Sequence, residues 1–181
     1  MVYVFLAEGF EEIEALTPID MLRRAGIEVS AVGISGEMIK GSHGITVRAD
    51  LRPEDVIAES AEACVLPGGM PGTLNLMNSP VLSEIIDRCE RAGTRIAAIC
   101  AAPMILGRRG MLRGKKAVCY PGFEKELDGA SVTRDRVVTD GKITTAAGMG
   151  VALDFACELI RLLRGADAAD AALASVMAGR K

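Results

Sequence analysis

Cys100 stands between Ile96-Ala97-Ala98-Ile99, an apolar run short enough for a strand buried on both faces, and Ala101 to Leu106, which has helical composition. Pro103 fits such a helix only in its first turn. A cysteine at a strand-to-helix turn projects above the C-terminal edge of a sheet, where unpaired N–H groups and helix dipole favour an anion. Its thiol is expected to ionise below the roughly 8.5 of a free cysteine. The competing reading is a buried core cysteine.

Glu14 is the carboxyl best placed to partner that thiol. It lies beside the apolar face of the first helical segment, where nearby apolar surface raises a carboxyl pKa. A protonated Glu14 would donate a hydrogen bond to a thiolate; the alternative is a helix N-terminal acid of no special role, the reading that suffices for Glu11 and Glu12. Pro67-Gly68-Gly69 follows another apolar run, and its N–H groups with that of Ala101 would form either an oxyanion hole or a plain tight turn. Gly148-Met149-Gly150 lacks the rest of a phosphate-loop fingerprint and reads as a turn. His43, the only histidine, lies in a glycine-flanked hairpin and reads as a surface or interface residue rather than a catalytic base.

These residues need a scaffold. Val2–Leu6, Ile27–Val32 and Ala63–Leu66 read as strands, and Glu11–Arg24 as a helix with Ile13, Leu16 and Ile19 near one face. A hairpin between Gly36 and Arg48 is expected to face Ile45 and Val47 inward, and Pro53 opens a short helical turn. Ser79 and Pro80 start a helix that buries Leu82, Ile85, Ile86 and Cys89. Further strands are expected at Ala117–Cys119, Val137–Thr139 and Ile143–Thr145, with a short helix near Phe123–Leu127. A helix carrying Val151, Phe155, Leu159 and Leu162 on one stripe leaves Cys157 off it, and an Ala-rich helix from about Asp167 to Met177 follows. Alternating strands and helices define an α/β fold, a doubly wound and mostly parallel sheet sandwiched by helices, with a small β-hairpin. Sites in such sheets lie beyond the strand C-termini: here Ala7–Glu14, the Pro-Gly-Gly loop, Cys100 and Tyr120-Pro121-Gly122.

Composition narrows the function. The 181 residues, half of them hydrophobic, suit one domain, 1–181. A net charge of −3, few aromatics and no Trp argue against nucleic-acid binding. The opening MVYVFLAEG is too short and wrongly flanked for a signal peptide, and prolines interrupt the longest uncharged stretch, so neither export nor a membrane span is expected. Five cysteines without a CxxC pair, and one histidine, argue for reduced thiols in a cytoplasm and for no metal.

Together AEGFEEIEALTPIDMLRRAGI, CVLPGG, IAAICAAP and the GxG before the last long helix resemble the ThiJ/PfpI superfamily, specifically its DJ-one branch, over nearly the whole chain. The resemblance implies a flavodoxin-like sandwich, usually a homodimer, that needs no cofactor. It implies that Cys100 is the nucleophilic, oxidation-sensitive cysteine, Glu14 the carboxyl bonded to it, and Gly69 and Ala101 the oxyanion donors. Asp20, Arg24 and His43 fall in segments similar to the family's dimer contact. Many members carry a pocket histidine where this chain has Tyr120, in YPGFE, and the protease-like branch has a histidine directly after its cysteine where this chain has Ala101. A Cys–His peptidase is therefore not expected. The implied function is glutathione-independent glyoxalase chemistry on small reactive aldehydes, methylglyoxal or glyoxal giving the hydroxy acid, with removal of early glycation adducts as a related activity. The rival is a redox sensor or stress-linked chaperone signalling through Cys100 oxidation.

Overall fold

The computed structural model describes residues 1–178; the last three residues of the expected 1–181 domain lie outside it. In chain order the elements are β1 (Val2–Leu6), α1 (Glu12–Arg24), β2 (Val29–Gly33), β3 (Met38–Lys40), β4 (Thr46–Arg48), β5 (Ala63–Leu66), α2 (Gly72–Met77), α3 (Pro80–Arg91), β6 (Arg95–Ile99), α4 (Pro103–Arg108), β7 (Lys116–Ala117), β8 (Ser131–Val132), β9 (Val137–Asp140), β10 (Ile143–Ala146), α5 (Ala152–Arg164) and α6 (Ala166–Ser175). Six strands form the central sheet in the order β2-β1-β5-β6-β10-β9, parallel except for β9.

The apolar runs are continuous rather than alternating because both faces of the sheet are covered. Val2, Val4, Leu6, Ala97 and Ile99 pack with Ala15, Ile19 and Leu22 of α1 and Phe155, Ala156 and Leu159 of α5. Tyr3, Phe5, Cys64, Leu66, Ile96 and Ala98 pack on the other side with Leu76 of α2, Leu82, Ile85, Ile86 and Cys89 of α3, and Leu106 of α4. The Ser79 hydroxyl accepts the Leu82 N–H at 3.3 Å, the cap expected for α3.

The chain winds outward from β1 in both directions, to β2 on one side and β5, β6 and β10 on the other. The loops after β1, β5 and β6 therefore meet over neighbouring strand ends, at the topological switch point.

Four local expectations are corrected. Ile13 is 50% exposed and Ile45 55% exposed, while Ile39 of β3 carries the buried face of the hairpin. The first helix instead turns Glu12 and Glu14 inward, because the loops packed over it offer N–H donors. The strand expected at Ala117–Cys119 is confined to Lys116–Ala117, paired with a short strand β8 that the sequence reading missed. From Val118 the backbone turns to the sheet, its N–H donating to Thr145 Oγ1 at 2.9 Å.

Candidate active site

Cys100 is half-buried at the end of β6 and has φ of 65°. For a residue with a Cβ this left-handed conformation costs about 1–2 kcal/mol, and it survives only where surroundings dictate it. Here both backbone groups are fixed: the N–H donates to the Ala146 carbonyl at 2.9 Å, and the carbonyl accepts the Tyr120 N–H at 2.8 Å. The turn of the chain thus aims the thiol outward over the strand ends.

Glu14 reaches the same point from α1 and is 1% exposed. Its Oε2 accepts the Gly68 N–H at 2.9 Å, and its carboxyl and the Cys100 side chain flank Gly68 as neighbours, close enough to shift each other's ionisation. A Cβ on Gly68 would lie 2.5 Å from Glu14 Oε2 and 2.7 Å from Cys100 Cβ, so only glycine lets this loop pass between them. Gly69 has φ of +92°, and a Cβ there would strike the backbone at Gly9 and Glu11. The Glu11 N–H donates to the Gly68 carbonyl at 2.9 Å, which ties the start of α1 to the loop after β5.

The electrostatics revise one sequence expectation. Burial, more than any other influence, pushes the Glu14 carboxyl up to about 7, against hydrogen bonds from Cys100 and the Gly68 N–H. The Cys100 thiol is not lowered but pushed up to about 12, first by burial and then by the charge of Glu14 and its hydrogen bond. The backbone N–H groups of Ala101 and Gly69 pull the thiol down, as the strand-to-helix position implied, and are outweighed. Above pH 7 the pair therefore holds a single proton between an ionised carboxylate and a neutral thiol. Such a pair delivers the nucleophile by base-assisted deprotonation during attack rather than as a resting thiolate.

Gly148 closes one wall. Its Cβ position would lie 3.1 Å from Tyr120 Cδ2 and 4.0 Å from Cys100 Sγ, so the turn following β10 stands against the thiol. Sequence reasoning took Gly148 for a turn only; nothing in an isolated GxG signals proximity to a residue on another strand. Tyr120 is 50% exposed and its ring lines the opening beside Gly148. The structure thus brings Cys100, Glu14, Gly69, Ala101 and Tyr120 together.

His43 does not join them. Its backbone N–H donates to Glu12 Oε1 at 2.8 Å and its Nδ1 sits 3.0 Å from Glu12 Oε2, while the Ile45 N–H reaches Oε1 at 3.4 Å. Burial alone would raise Glu12, but these hydrogen bonds hold it at about 2. Glu12 is a buried latch on the β3–β4 hairpin, not the ordinary helix-terminal acid expected. Glu11, Glu12 and His43 keep their ligand atoms within 4.8 Å of one another, an arrangement that these internal hydrogen bonds account for. Among the described residues no helix is long and apolar enough to cross a membrane.

The same scaffold recurs in known proteins. The solved structure of oxidised DJ-1 from Toxoplasma gondii superposes with a TM-score of 0.94 at 36% identity, covering 99% of this chain and 98% of that one. DJ-1 homolog B of Arabidopsis thaliana is 36% identical over 93% of this chain and 39% of its own length, so the chain spans about two-fifths of that relative. A deglycase of Pyrococcus abyssi is 32% identical over 90% of this chain and 99% of that protein. A glutathione-independent glyoxalase of Caenorhabditis elegans is 31% identical over 87% of this chain and 85% of that protein. The DJ-1/PfpI family model matches residues 1–162, a span that takes in β1 through most of α5 and every loop around Cys100. With its flavodoxin-like sheet and its cysteine elbow accounted for, the chain belongs to the DJ-1/PfpI family.

Proposed function

We propose that the protein is a cysteine-dependent, glutathione-independent glyoxalase that converts methylglyoxal or glyoxal to the hydroxy acid. The observation that carries this reading is the buried Glu14 carboxyl, held near 7 beside the Cys100 side chain. A thiol alone traps an aldehyde; moving a carbon-bound proton needs a base of this strength beside it.

Cys100 Sγ attacks the aldehyde carbon while Glu14 takes the thiol proton. The N–H groups of Gly69 and Ala101 stabilise the oxygen that gains charge, and Glu14 passes the thiol proton on to that oxygen, which gives the hemithioacetal and frees the carboxylate. Glu14 then removes the proton from the former aldehyde carbon and returns it to the adjacent carbon through an enediol, leaving a thioester on Cys100. Water cleaves the thioester, restoring the thiol and releasing lactate from methylglyoxal or glycolate from glyoxal. Tyr120 lines the substrate side as a neutral phenol and takes no part as a base.

Removal of early glycation adducts fits the same chemistry, by attack on a protein-bound hemithioacetal or by consumption of free aldehyde. Cytoplasmic residence and a homodimer built on α1 and the β3–β4 hairpin complete the reading. Unpartnered Ile13, Met38 and Ile45 on those elements support the dimer. Asp20 and Arg24 pair with each other at 2.6 Å, and Arg23 with Asp50 at 2.7 Å, so apolar contact rather than these charges would carry it. The strained, half-buried Cys100 gives the redox-sensor reading its one specific support. The deciding experiment is lactate formation from methylglyoxal by pure protein without glutathione. Turnover that vanishes in Cys100→Ser and Glu14→Gln supports the enzyme, and a stoichiometric Cys100 adduct with no turnover overturns it.

A further inference from the structure

Away from Cys100, a pair of sulfur atoms lies in contact. Cys64 on β5 and Cys89 on α3 are both fully buried, and their Sγ atoms are 3.1 Å apart. A disulfide needs about 2.05 Å, so a shift of about 1 Å at the tips of two side chains would join them. Nothing in the proposed chemistry uses either thiol.

We infer that Cys64 and Cys89 are a second redox site, a core dithiol that hydroperoxides convert to an intramolecular disulfide. Cys89 is the attacking sulfur. The hydrogen bond from Cys64 and the nearby Arg88 lower its thiol pKa, whereas the same hydrogen bond and burial raise Cys64. The turn Ala58–Ser60 packs against it, Cys89 Sγ lying 4.0 Å from the Ala58 carbonyl. Glu59 of that turn is exposed and held to Arg88 by two 2.8 Å hydrogen bonds, so opening of this turn admits a peroxide.

The Cys89 thiolate attacks hydrogen peroxide, breaking its O–O bond and leaving a sulfenic acid and hydroxide. Cys64 sulfur then displaces the sulfenic hydroxyl, which leaves as water with the Cys64 proton. Two thiols lose two electrons and two protons, and one peroxide becomes two waters. The bond closes a loop of 25 residues' separation that contains Pro67-Gly68-Gly69 and α2. It therefore restrains the segment carrying the Gly69 N–H, and the folded state gains stability through the shortened unfolded chain.

The test is oxidation of the whole chain with hydrogen peroxide, until Cys100 is fully consumed, followed by alkylation under denaturing conditions and peptide mapping without reductant. Expected are a Cys64–Cys89 linkage two hydrogens lighter than the dithiol and a melting temperature higher by roughly 5–10 °C that dithiothreitol reverses. Repeating the oxidation in Cys100→Ser separates this site from the glyoxalase reading, since the linkage forms there too. Cys64 and Cys89 both still alkylated once Cys100 is consumed, or found separately as sulfinic acids, overturns the inference.

Discussion

Glu14→Gln separates what the buried carboxyl does for chemistry from what it costs the fold. The folded carboxyl is held at about 7, above its ordinary 4.5, so the unfolded chain gives up its proton first as pH rises. The contribution of Glu14 to stability is thus intact below about 4.5 and declines steadily as pH rises to about 7. At pH 8 the ionised carboxylate costs about 3 kcal/mol relative to the same group in water. Glutamine keeps the shape, accepts the Gly68 N–H through its carbonyl oxygen, donates to Cys100 sulfur and has no charge to desolvate. Thermal unfolding at pH 8 should therefore place Glu14→Gln roughly 5–10 °C above the parent, although lactate formation is abolished. At pH 5, with the native carboxyl protonated, the gap should shrink to a few degrees. Equal melting temperatures at pH 8, or a gap that does not change with pH, would refute the claim that Glu14 is held protonated by burial.

Four further substitutions probe the surroundings. Glu12→Ala leaves the His43 and Ile45 N–H groups without their charged acceptor and should cost about 2–3 kcal/mol in urea unfolding, with turnover of the folded protein retained. Because Glu12 is held at about 2, its own contribution is present above about 4.5 and should fade as pH falls toward 2. Gly148→Ala sits on extended backbone and should fold normally, but its methyl enters the space between Tyr120 and Cys100 Sγ and should lower kcat/KM at least about tenfold. Tyr120→Phe should change KM or rate by no more than about tenfold, the worth of one hydrogen bond. The pH profile of turnover should show a limb near 7 that belongs to Glu14, and His43→Ala should leave it in place; its loss would assign the limb to the imidazole.

Periodicity and turn residues were enough to order β1, β5, β6, α3 and α5, because continuous apolar runs and Ser79-Pro80 are local signals. The cysteine elbow was legible for the same reason. Contacts between distant segments were not. Glu12 reads as one more acid at a helix start until the hairpin loop brings the His43 and Ile45 N–H groups to it. Gly148 reads as a turn until β10 sets it beside β6. The direction of the Cys100 shift also depends on distance: the Ala101 and Gly69 N–H groups lower it, but burial and the Glu14 charge, which no local pattern announces, outweigh them. Cys64 and Cys89, on different elements, carry no spacing that announces a pair.

The central claim is that Glu14 carries the carbon-bound proton while the substrate is held on Cys100. Turnover of methylglyoxal in deuterium oxide, without glutathione, reads this from the proton NMR spectrum of the product. Glu14 lies beside a half-exposed thiol, so the proton it removes has a route to exchange with solvent before it returns. Lactate should carry deuterium at its second carbon, collapsing part of the methyl doublet, and Glu14→Gln should form none. Product with only the original aldehyde hydrogen at that carbon would point to direct hydride transfer and contradict the role given to Glu14.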